Sequence, residues 1–183
     1  MKKLLFLGGL LMVLLVACSK NNNDAPVSRP FDTSRPAGSL YAQFKIDSLK
    51  IDAYLKEKNI TAQQDPSGIF YRVINPGTGT DVIKVTSFPT VGYKGYLLNG
   101  TVFDASDSTN FGFQAQMRDL IPGWYLGLTK IHKGGQIQIF LPSKFAYGER
   151  AFSFTYNGVS DSIRSNSVLV FDVKLFDFKD INQ

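Results

Sequence analysis

Aromatic side chains are the groups in this sequence whose number and placement best suggest a site. They make up 13% of the residues, and Tyr93, Trp124 and Tyr147 fall near turns or strand ends. In a strand-rich domain such residues belong to the core more often than to a ligand site, because they fit a half-buried pleated surface. The only tryptophan, at the start of a predicted short helix, is nevertheless typical of a pocket floor.

Composition argues against sites that depend on histidine, thiol or metal chemistry. His132 is the sole histidine and Cys18 the sole cysteine. No stretch has the spacing of a zinc-ligand set or of a phosphate-binding glycine loop. We expect His132, between Lys130 and Lys133, to be a solvated residue near a helix end. The sequence therefore predicts no metal and no cofactor.

The first 17 residues are predicted to be a signal peptide. A basic pair, Lys2-Lys3, precedes an apolar run over residues 4–16 that is too short for the about 20 residues a membrane span needs. The following Ala17-Cys18 resembles the bacterial lipobox, which implies that Cys18 receives the lipid. The alternative is an ordinary secretory signal with an incidental cysteine. We expect a protein of the bacterial cell envelope, anchored in a lipid bilayer and, by analogy from Ser19, in the outer membrane.

The charge distribution gives no indication of a nucleic-acid partner. The whole chain carries a formal net charge of +5. Removal of residues 1–17 leaves 18 basic against 15 acidic side chains, or +3. Basic residues are interleaved with acidic ones along the chain, and no run of five or more Lys or Arg occurs.

Before the main domain the sequence predicts a tether and one helix. Residues 18–38 are polar and rich in proline, as in a flexible tether. Within residues 39–67, Ser39 is the expected N-cap of a helix that ends near Asn59. Its apolar stripe comprises Leu40, Phe44, Ile51 and Leu55. This stripe either docks on the next domain, which we favour together with a monomer, or pairs two copies through residues 40–58.

Residues 68–183 are predicted to form one domain made mainly of strands. Strands are expected over 69–74, 82–85, 90–98 and 101–103, with Asn99-Gly100 as a hairpin turn. Pro122 is expected to open a short helix that ends at Gly134-Gly135, before an alternating strand. Asn157-Gly158 marks a second, inserted hairpin, and the strand over 167–178 has the pattern of a sheet centre.

Four blocks of this domain, in order, resemble the FKBP-type peptidyl-prolyl cis-trans isomerases. The likeness covers about residues 68–178, and the preceding helix resembles the lead-in of bacterial envelope members. It implies an α+β fold, in which a twisted antiparallel sheet wraps around one short α-helix and an amphipathic helix precedes it. The blocks are Val91-Gly92-Tyr93 through Ser106, Leu120-Ile121-Pro122-Gly123-Trp124, Phe145-Ala146-Tyr147-Gly148-Glu149-Arg150 and Leu169-Val170-Phe171-Asp172-Val173.

The same resemblance implies the residues of a proline-binding pocket. Trp124 would be its floor, Tyr147 would donate a hydrogen bond to a substrate carbonyl, and the N–H of Ile121 would be a second donor. Asp104, which alternatively serves only as a turn former, would lie beside the twisting bond. The implied catalytic set is Tyr93, Asp104 and Tyr147, and the implied substrate-binding set is Phe103, Phe111, Leu120, Ile121, Trp124, Ile163 and Phe171.

The expected activity is isomerisation of X-Pro bonds in exported proteins, without a cofactor and with proline-containing polypeptides as clients. It requires a pyrrolidine ring to reach the indole of Trp124. Two alternatives keep the fold without the catalysis: a membrane-tethered binding or chaperone module, and a purely structural lipoprotein. The chain departs from the family at Arg164-Ser165, where members commonly have Pro-Pro. It also carries the insertion over 152–159, which is either a substrate-gripping flap or an ordinary loop.

Overall fold

The computed structural model describes residues 37–106 and 112–180, with side chains from residue 40 onward. Within these ranges none of the helices is both long enough and apolar enough to cross a membrane. The signal peptide, Cys18, nearly all of the tether and Phe111 lie outside the described residues. The described elements, in chain order, are α1 (Ala37–Glu57), β1 (Gln63–Gln64), β2 (Phe70–Asn75), β3 (Ser87–Leu97), β4 (Val102–Ala105), β5 (Phe113–Gln114), α2 (Pro122–Leu128), β6 (Gln136–Leu141), β7 (Phe152–Tyr156), β8 (Val159–Ile163) and β9 (Leu169–Asp180).

The main sheet is antiparallel and has the order β1-β2-β6-β9-β3-β4. The short strand β5 pairs with Thr90 and Val91 of β3. The last strand, β9, lies between β6 and β3 and pairs along almost its whole length with β3. Its apolar beginning and alternating end predicted this central place. β7 and β8 form a separate two-stranded hairpin. With α2 packed against β6, the fold is the expected α+β arrangement.

The two faces of the sheet bury two separate apolar clusters, because neighbouring residues of a strand point to opposite faces. On one face, which we call the inner face, Ile139 and Phe171 pack with Trp124 of α2. On the other, the outer face, Phe140 and Val170 pack with residues of α1. The sheet is therefore covered by α2 on one side and α1 on the other.

Helix α1 docks on the outer face through part of the predicted stripe. Ile51 and Leu55 are buried there, and Phe44 packs on residues at the edge of the inner cluster. Leu40 was expected in the stripe but is 43% exposed, since it lies in the first turns of the helix, before the buried stretch. The helix begins at Ala37, so Ser39 lies inside it and is not its N-cap.

Both predicted hairpin turns are confirmed. β3 and β4 are joined at Asn99-Gly100, where the N–H of Gly100 donates to the carbonyl of Leu97 at 2.8 Å. β7 and β8 are joined at Asn157-Gly158, both with positive φ, 49° and 78°. Such φ values are those that a tight hairpin turn requires and that Asn and Gly tolerate best.

Two predicted elements differ from the structure. Residues 82–85 form no strand: only Ile83 is buried, and the turn is closed by the N–H of Lys84, which donates to Ser87 Oγ at 2.8 Å. Helix α2 ends at Leu128, six residues before Gly134. The chain continues from there in tighter turns, in which the N–H of Ile131 donates to the carbonyl of Leu128 at 3.3 Å. The apolar run over 82–85 is thus a turn and not a strand, and the residues after Leu128 form turns and not a continuation of the helix.

Candidate active site

Helix α2 places Trp124 against the inner face of the sheet. Ile121 is the N-cap residue and Pro122 follows it, in the position where proline's fixed φ starts a helix at no loss of hydrogen bonding. Gly123 and Gly127 allow the helix to lie directly on β6: a Cβ at Gly127 would come within 2.3 Å of Ile139 Cδ1. The half-buried Ile121 leaves its N–H outside the helical hydrogen bonds, as the predicted donor role requires.

Aromatic rings surround the indole of Trp124 edge-on. The ring centroids of Tyr93 and Phe171 lie 5.1 Å and 5.4 Å from it, and that of Phe113 lies at 6.3 Å, all in T-shaped geometry. Such pairs direct a positive ring edge at a negative ring face. Phe113 was not among the predicted site residues. Its position two residues beyond Phe111 in an aromatic, glycine-containing stretch was the available signal.

Tyr93 and Asp104 form the buried polar pair of the site. Both lie on neighbouring strands, and the Tyr93 hydroxyl donates to Asp104 Oδ2 at 2.5 Å. Burial, and then the hydrogen bond to Asp104, raise the pKa of Tyr93 far above its usual value. Burial also raises the pKa of Asp104, against the opposing effect of the bonds from Tyr93 and the Ala105 N–H. Asp104 is thus hydrogen-bonded to Tyr93, a contact that a turn-forming role alone does not require.

Tyr147 lies at the rim of the same group, following a short 3₁₀ turn over Ser143–Phe145. Its side chain is half-buried, and its ring packs against Phe152 of β7 with a centroid distance of 4.5 Å. Burial, and then the nearby charge of Asp104, raise the pKa of Tyr147 to about 12. Its hydroxyl is therefore protonated at neutral pH and available as a donor.

The structure brings most of the other predicted residues into one cluster. Phe103 packs edge-on against Phe171 with a centroid distance of 5.6 Å. Ile163, at the end of β8, is buried in the same cluster, and Leu120 and Ile121 pack against it half-buried. Phe111 lies outside the described residues. Nine of the ten predicted positions, Trp124 included, therefore lie in or against one cluster.

The expectation of an open pocket floor is wrong for this structure. Trp124 is 0% exposed, so a pyrrolidine ring cannot reach the indole unless neighbouring side chains move. The β7–β8 hairpin lies against the cluster: Phe154 packs edge-on against Phe103 at a centroid distance of 6.2 Å, and Phe152 packs in a tilted arrangement on Tyr147. A cleft of about 530 Å³ runs along this hairpin, lined by Ser153, Phe154, Thr155, Ser160, Asp161 and Ser162.

The loop that lacks the family's Pro-Pro pair is closed by hydrogen bonds instead. Ser167 Oγ donates to the carbonyl of Arg164 at 2.7 Å. The N–H of Asn166, whose φ is 59°, donates to the carbonyl of Gly148 at 2.7 Å. The loop is thereby tied to the residue that follows Tyr147.

Within residues 37–106 and 112–180 no group of three or more His, Cys, Asp or Glu side chains is arranged to hold a metal ion. His132 lies beyond the end of α2, half-buried, with Nδ1 at 2.9 Å from the carbonyl oxygen of Asp81. This contact ties two loops together.

The comparison with known proteins agrees with this geometry. The family model described as FKBP-type peptidyl-prolyl cis-trans isomerase matches residues 79–176, which is more than half of the chain. The chain belongs to the FKBP-type peptidyl-prolyl cis-trans isomerase family. The matched residues contain every described residue of the predicted site.

Relatives with names of this family come from several bacteria. The FKBP-type peptidyl-prolyl cis-trans isomerase FkpA of Escherichia coli (strain K12) is 36% identical over 128 residues, which are 70% of this chain and 43% of that protein. A probable FKBP-type isomerase of Haemophilus influenzae is 37% identical over 142 residues, 77% of this chain and 55% of that protein. The chain spans about half the length of these relatives.

Solved structures support the FKBP-type fold. The crystal structure of FkpA from Escherichia coli matches with a TM-score of 0.57 and 33% identity, over 78% of this chain and 66% of that one. A peptidyl-prolyl cis-trans isomerase from Pseudomonas syringae matches with a TM-score of 0.56 over 80% of this chain and 98% of that one. At 21% identity, the second likeness concerns the fold alone.

Proposed function

We propose that this chain is a peptidyl-prolyl cis-trans isomerase that accelerates X-Pro bond rotation in exported proteins. The observation that carries the proposal is the convergence of Tyr93, Asp104, Trp124 and Tyr147 on one aromatic cluster of an FKBP-type fold. The catalytic set is Tyr93, Asp104 and Tyr147. The substrate-binding set is Phe103, Phe111, Leu120, Ile121, Trp124, Ile163 and Phe171.

Such a cluster can catalyse this reaction without an acid, a base or a nucleophile. Resonance holds the X-Pro amide planar behind a barrier of about 18 to 20 kcal/mol. The twisted transition state has lost this resonance and is less dipolar. Water therefore stabilises the planar form more, and transfer into an apolar cavity raises the energy of the ground state relative to the transition state.

The size of the required rate acceleration determines how much each group must lower the rotation barrier. Shortening the exchange from tens of seconds to milliseconds is an acceleration of about 10⁴-fold, or about 5.5 kcal/mol. A hydrogen bond from the protonated Tyr147 hydroxyl to the substrate carbonyl contributes about 1 kcal/mol. Most of the gain must therefore come from desolvation and orientation among the rings, and Tyr147 is an auxiliary donor.

Catalysis in this form requires the site to open. The β7–β8 hairpin holds Phe154 on Phe103 and Phe152 on Tyr147, so its movement would uncover both proposed site residues. The indole Nε1 of Trp124 makes no hydrogen bond within the described part of the chain. A buried donor without a partner costs about 1 to 3 kcal/mol, which offsets part of the cost of opening. We propose that the hairpin is a flap over the site.

Deletion of Phe152 to Val159 tests the flap. We expect the variant to lose activity on an unfolded, proline-limited protein while it retains turnover of a short X-Pro peptide. The large client needs the hairpin as an additional contact, whereas the peptide needs only the pocket. Equal loss of stability and of both activities would instead identify the segment as an ordinary packed loop.

The full burial of Trp124 favours a second candidate, a tethered binding or chaperone module without catalysis. Such a protein would bind apolar, proline-containing segments through the hairpin and the cleft beside it. The presence of Tyr93, Asp104 and Tyr147 together argues against this candidate, because binding of apolar segments alone does not need a buried carboxylate.

Exchange of an X-Pro tetrapeptide separates the candidates. The unmodified chain should accelerate exchange, and Asp104→Ala and Tyr147→Phe should reduce kcat/KM, the latter about fivefold for the loss of one hydrogen bond. No acceleration by the unmodified chain, together with peptide binding, identifies the binding module. Neither exchange nor binding identifies a structural protein.

We further propose the domain plan and location that the sequence predicts: a lipoprotein signal over 1–17, a tether over 18–38, the helix and linker over 39–67, and the isomerase domain over 68–183. Acylated Cys18 would anchor the protein in the bacterial envelope, at the outer membrane. Radiolabelled palmitate should label the unmodified chain and not Cys18→Ser. Labelling of both would refute attachment at this residue.

We propose that the chain acts as a monomer, because Ile51 and Leu55 of α1 are buried on its own sheet. A dimer through residues 40–58 would have to use the remaining face, where Tyr41 and Leu49 are 70% and 60% exposed. Sedimentation of the unmodified chain and of a Leu49→Lys variant decides this: equal masses of one chain are expected, and a twofold difference would establish the dimer.

A further inference from the structure

A buried carboxylate of α1 contacts the chain segment that leads to Tyr147. Asp47 is 0% exposed, although it belongs to a surface helix. Its Oδ2 accepts hydrogen bonds from the backbone N–H of Ser143 at 2.9 Å and from Ser143 Oγ at 2.5 Å. Its Oδ1 accepts one from Gln43 Nε2 at 2.8 Å. Both oxygens of this carboxylate are thus occupied.

The 3₁₀ turn over Ser143–Phe145 needs an external acceptor at its start. The residue before it is Pro142, whose side chain cannot accept a hydrogen bond, and the turn has no side-chain cap of its own. The first N–H groups of a helical turn lack partners within it, and a negative charge there complements their partial positive charge. Asp47, 96 residues earlier in the chain, fills this role.

The carbonyl of Ser143 in turn fixes both neighbours of Tyr147. It accepts hydrogen bonds from the N–H of Ala146 and from the N–H of Gly148, each at 2.9 Å. Ser143 is therefore held by Asp47 through its N–H and hydroxyl, and it holds the two residues on either side of Tyr147 through its carbonyl. Two consecutive hydrogen-bonding steps, from Asp47 to Ser143 and from Ser143 to Ala146 and Gly148, connect α1 to the backbone that carries the proposed donor.

A second contact between α1 and the same turn supports this connection. The rings of Phe44 and Phe145 pack edge-on with a centroid distance of 6.5 Å. Lys144 Nζ lies over both rings, 3.7 Å from the centre of Phe44 and 4.5 Å from that of Phe145. The helix therefore contacts all three residues of the turn.

We propose that Asp47 is a positioning residue for Tyr147, and that α1 is part of the catalytic framework of the domain. The inference rests on the proposed isomerase function. Asp47 does not touch the site. It acts by fixing the turn from which the Tyr147 hydroxyl is presented to the substrate carbonyl.

A double-mutant cycle with Tyr147 tests the proposal in the full chain. Because Asp47 acts only through the tyrosine hydroxyl, its removal cannot cost more than the loss of that one hydrogen bond. We expect Asp47→Ala to lower kcat/KM for an X-Pro tetrapeptide about twofold to fivefold. In a Tyr147→Phe background the same change should have an effect below about 1.5-fold. Asp52→Ala, on the same helix, is the matched control and should leave both backgrounds unchanged.

A second readout separates positioning from stability alone. Amide hydrogen exchange at Ala146 and Gly148 should become at least about tenfold faster in Asp47→Ala and remain unchanged in Asp52→Ala. Asp47→Asn, which keeps an oxygen acceptor for the Ser143 N–H, should restore most of both the exchange protection and the activity. It also remains informative where the alanine variant fails to fold.

Two results would overturn the proposal. One is an equal loss of activity from Asp47→Ala or Asp47→Asn in the Tyr147 and Tyr147→Phe backgrounds, which indicates a general loss of stability. The other is unchanged amide exchange at Ala146 and Gly148 in the folded variants. An inactive unmodified chain would refute the isomerase function instead, and the amide exchange together with the Tyr147 ring signals in NMR spectra would still decide whether Asp47 holds this turn.

Discussion

The two faces of the central sheet both bury apolar side chains, but they differ in the polar groups buried among them. On the outer face, α1 covers an apolar cluster of which Phe140 and Val170 are members, and the buried carboxylate of that helix has partners on both oxygens. On the inner face, the aromatic cluster around Trp124 contains a donor without a partner within the described residues and a carboxylate whose burial raises its pKa. The faces do not differ in unpaired groups alone, because Gln138 Oε1, which shares the outer face with Phe140, also lacks a partner within the described residues. They differ in what surrounds each buried carboxylate.

The two buried aspartates show this difference most directly. Asp47 accepts from the N–H and the hydroxyl of one serine and from a glutamine amide. Asp104 accepts from the hydroxyl of Tyr93 and from the N–H of Ala105, and aromatic rings surround this pair. A carboxylate in an apolar cluster lowers stability unless hydrogen bonds or an opposite charge compensate for its lost solvation. The raised pKa shows that these bonds do not fully compensate for the burial of Asp104, as we expect of a residue in the proposed site.

The largest expected effect comes from removing one ring on each face. Phe140→Ala and Phe171→Ala each delete a fully buried ring, and we expect each to lower the free energy of unfolding by about 3 to 5 kcal/mol. Only Phe171→Ala should also lower the exchange rate per folded molecule, because Phe171 contacts Trp124. Denaturant unfolding and the X-Pro exchange assay on the folded fraction measure the two quantities. Equal activity losses would show that the faces are not separate.

A smaller effect is expected where α2 meets the inner face. A Cβ at Gly127 would overlap Ile139 Cδ1 at 2.3 Å, so Gly127→Ala must push the helix or the isoleucine away. We expect the overlap to cost about 1 to 3 kcal/mol, offset in part by the about 1 kcal/mol that alanine gains over glycine in a helix. Thermal unfolding measures the net loss. Ile139→Val, which removes Cδ1, should restore part of it, and a stabilised Gly127→Ala chain would contradict this packing.

The smallest effect concerns the pH dependence that Asp104 causes. Its native pKa is raised, so the folded state retains the proton to higher pH than the unfolded state does. Its contribution to stability is complete below the ordinary aspartate pKa of about 3.9 and is lost as the pH rises through the native pKa. Asp104→Asn should therefore lose less unfolding free energy between acidic and neutral pH than the unmodified chain. Identical pH profiles would mean that the carboxyl is not destabilised by burial.

Local chemistry made much of the fold predictable. Asn99-Gly100 and Asn157-Gly158 indicated turns because Asn and Gly tolerate positive φ. Pro122 indicated the start of α2 because its ring fixes φ at the negative value of a helix. β1 and β5, of two residues each, had no such signal. They exist only because β2 and β3 present free edges to them.

The sequence indicated which residues lie near one another in the candidate site, but not that the indole of Trp124 is buried. The family's order of residues pointed to nine described positions, Trp124 included, that lie together in the structure. The burial of the indole depends on the packing of Tyr93, Phe113 and Phe171 around it, which no local pattern encodes. Asp47 was overlooked although it lies on the buried stripe, three residues after Phe44 and four before Ile51. An acidic residue at helical spacing within an apolar stripe was the signal, and only the position of Ser143 explains it.

The central position of β9 has a consequence for how the molecule forms. This strand joins β6 to β3, yet it is synthesised after both of them. Neither half of the sheet can complete its backbone pairing during synthesis, so the earlier strands wait with unpaired edges until β9 inserts between them. Pairings this distant in sequence form slowly. During that interval the nascent polypeptide is open to aggregation or to capture by a holding factor, and assembly then ends in a single late step.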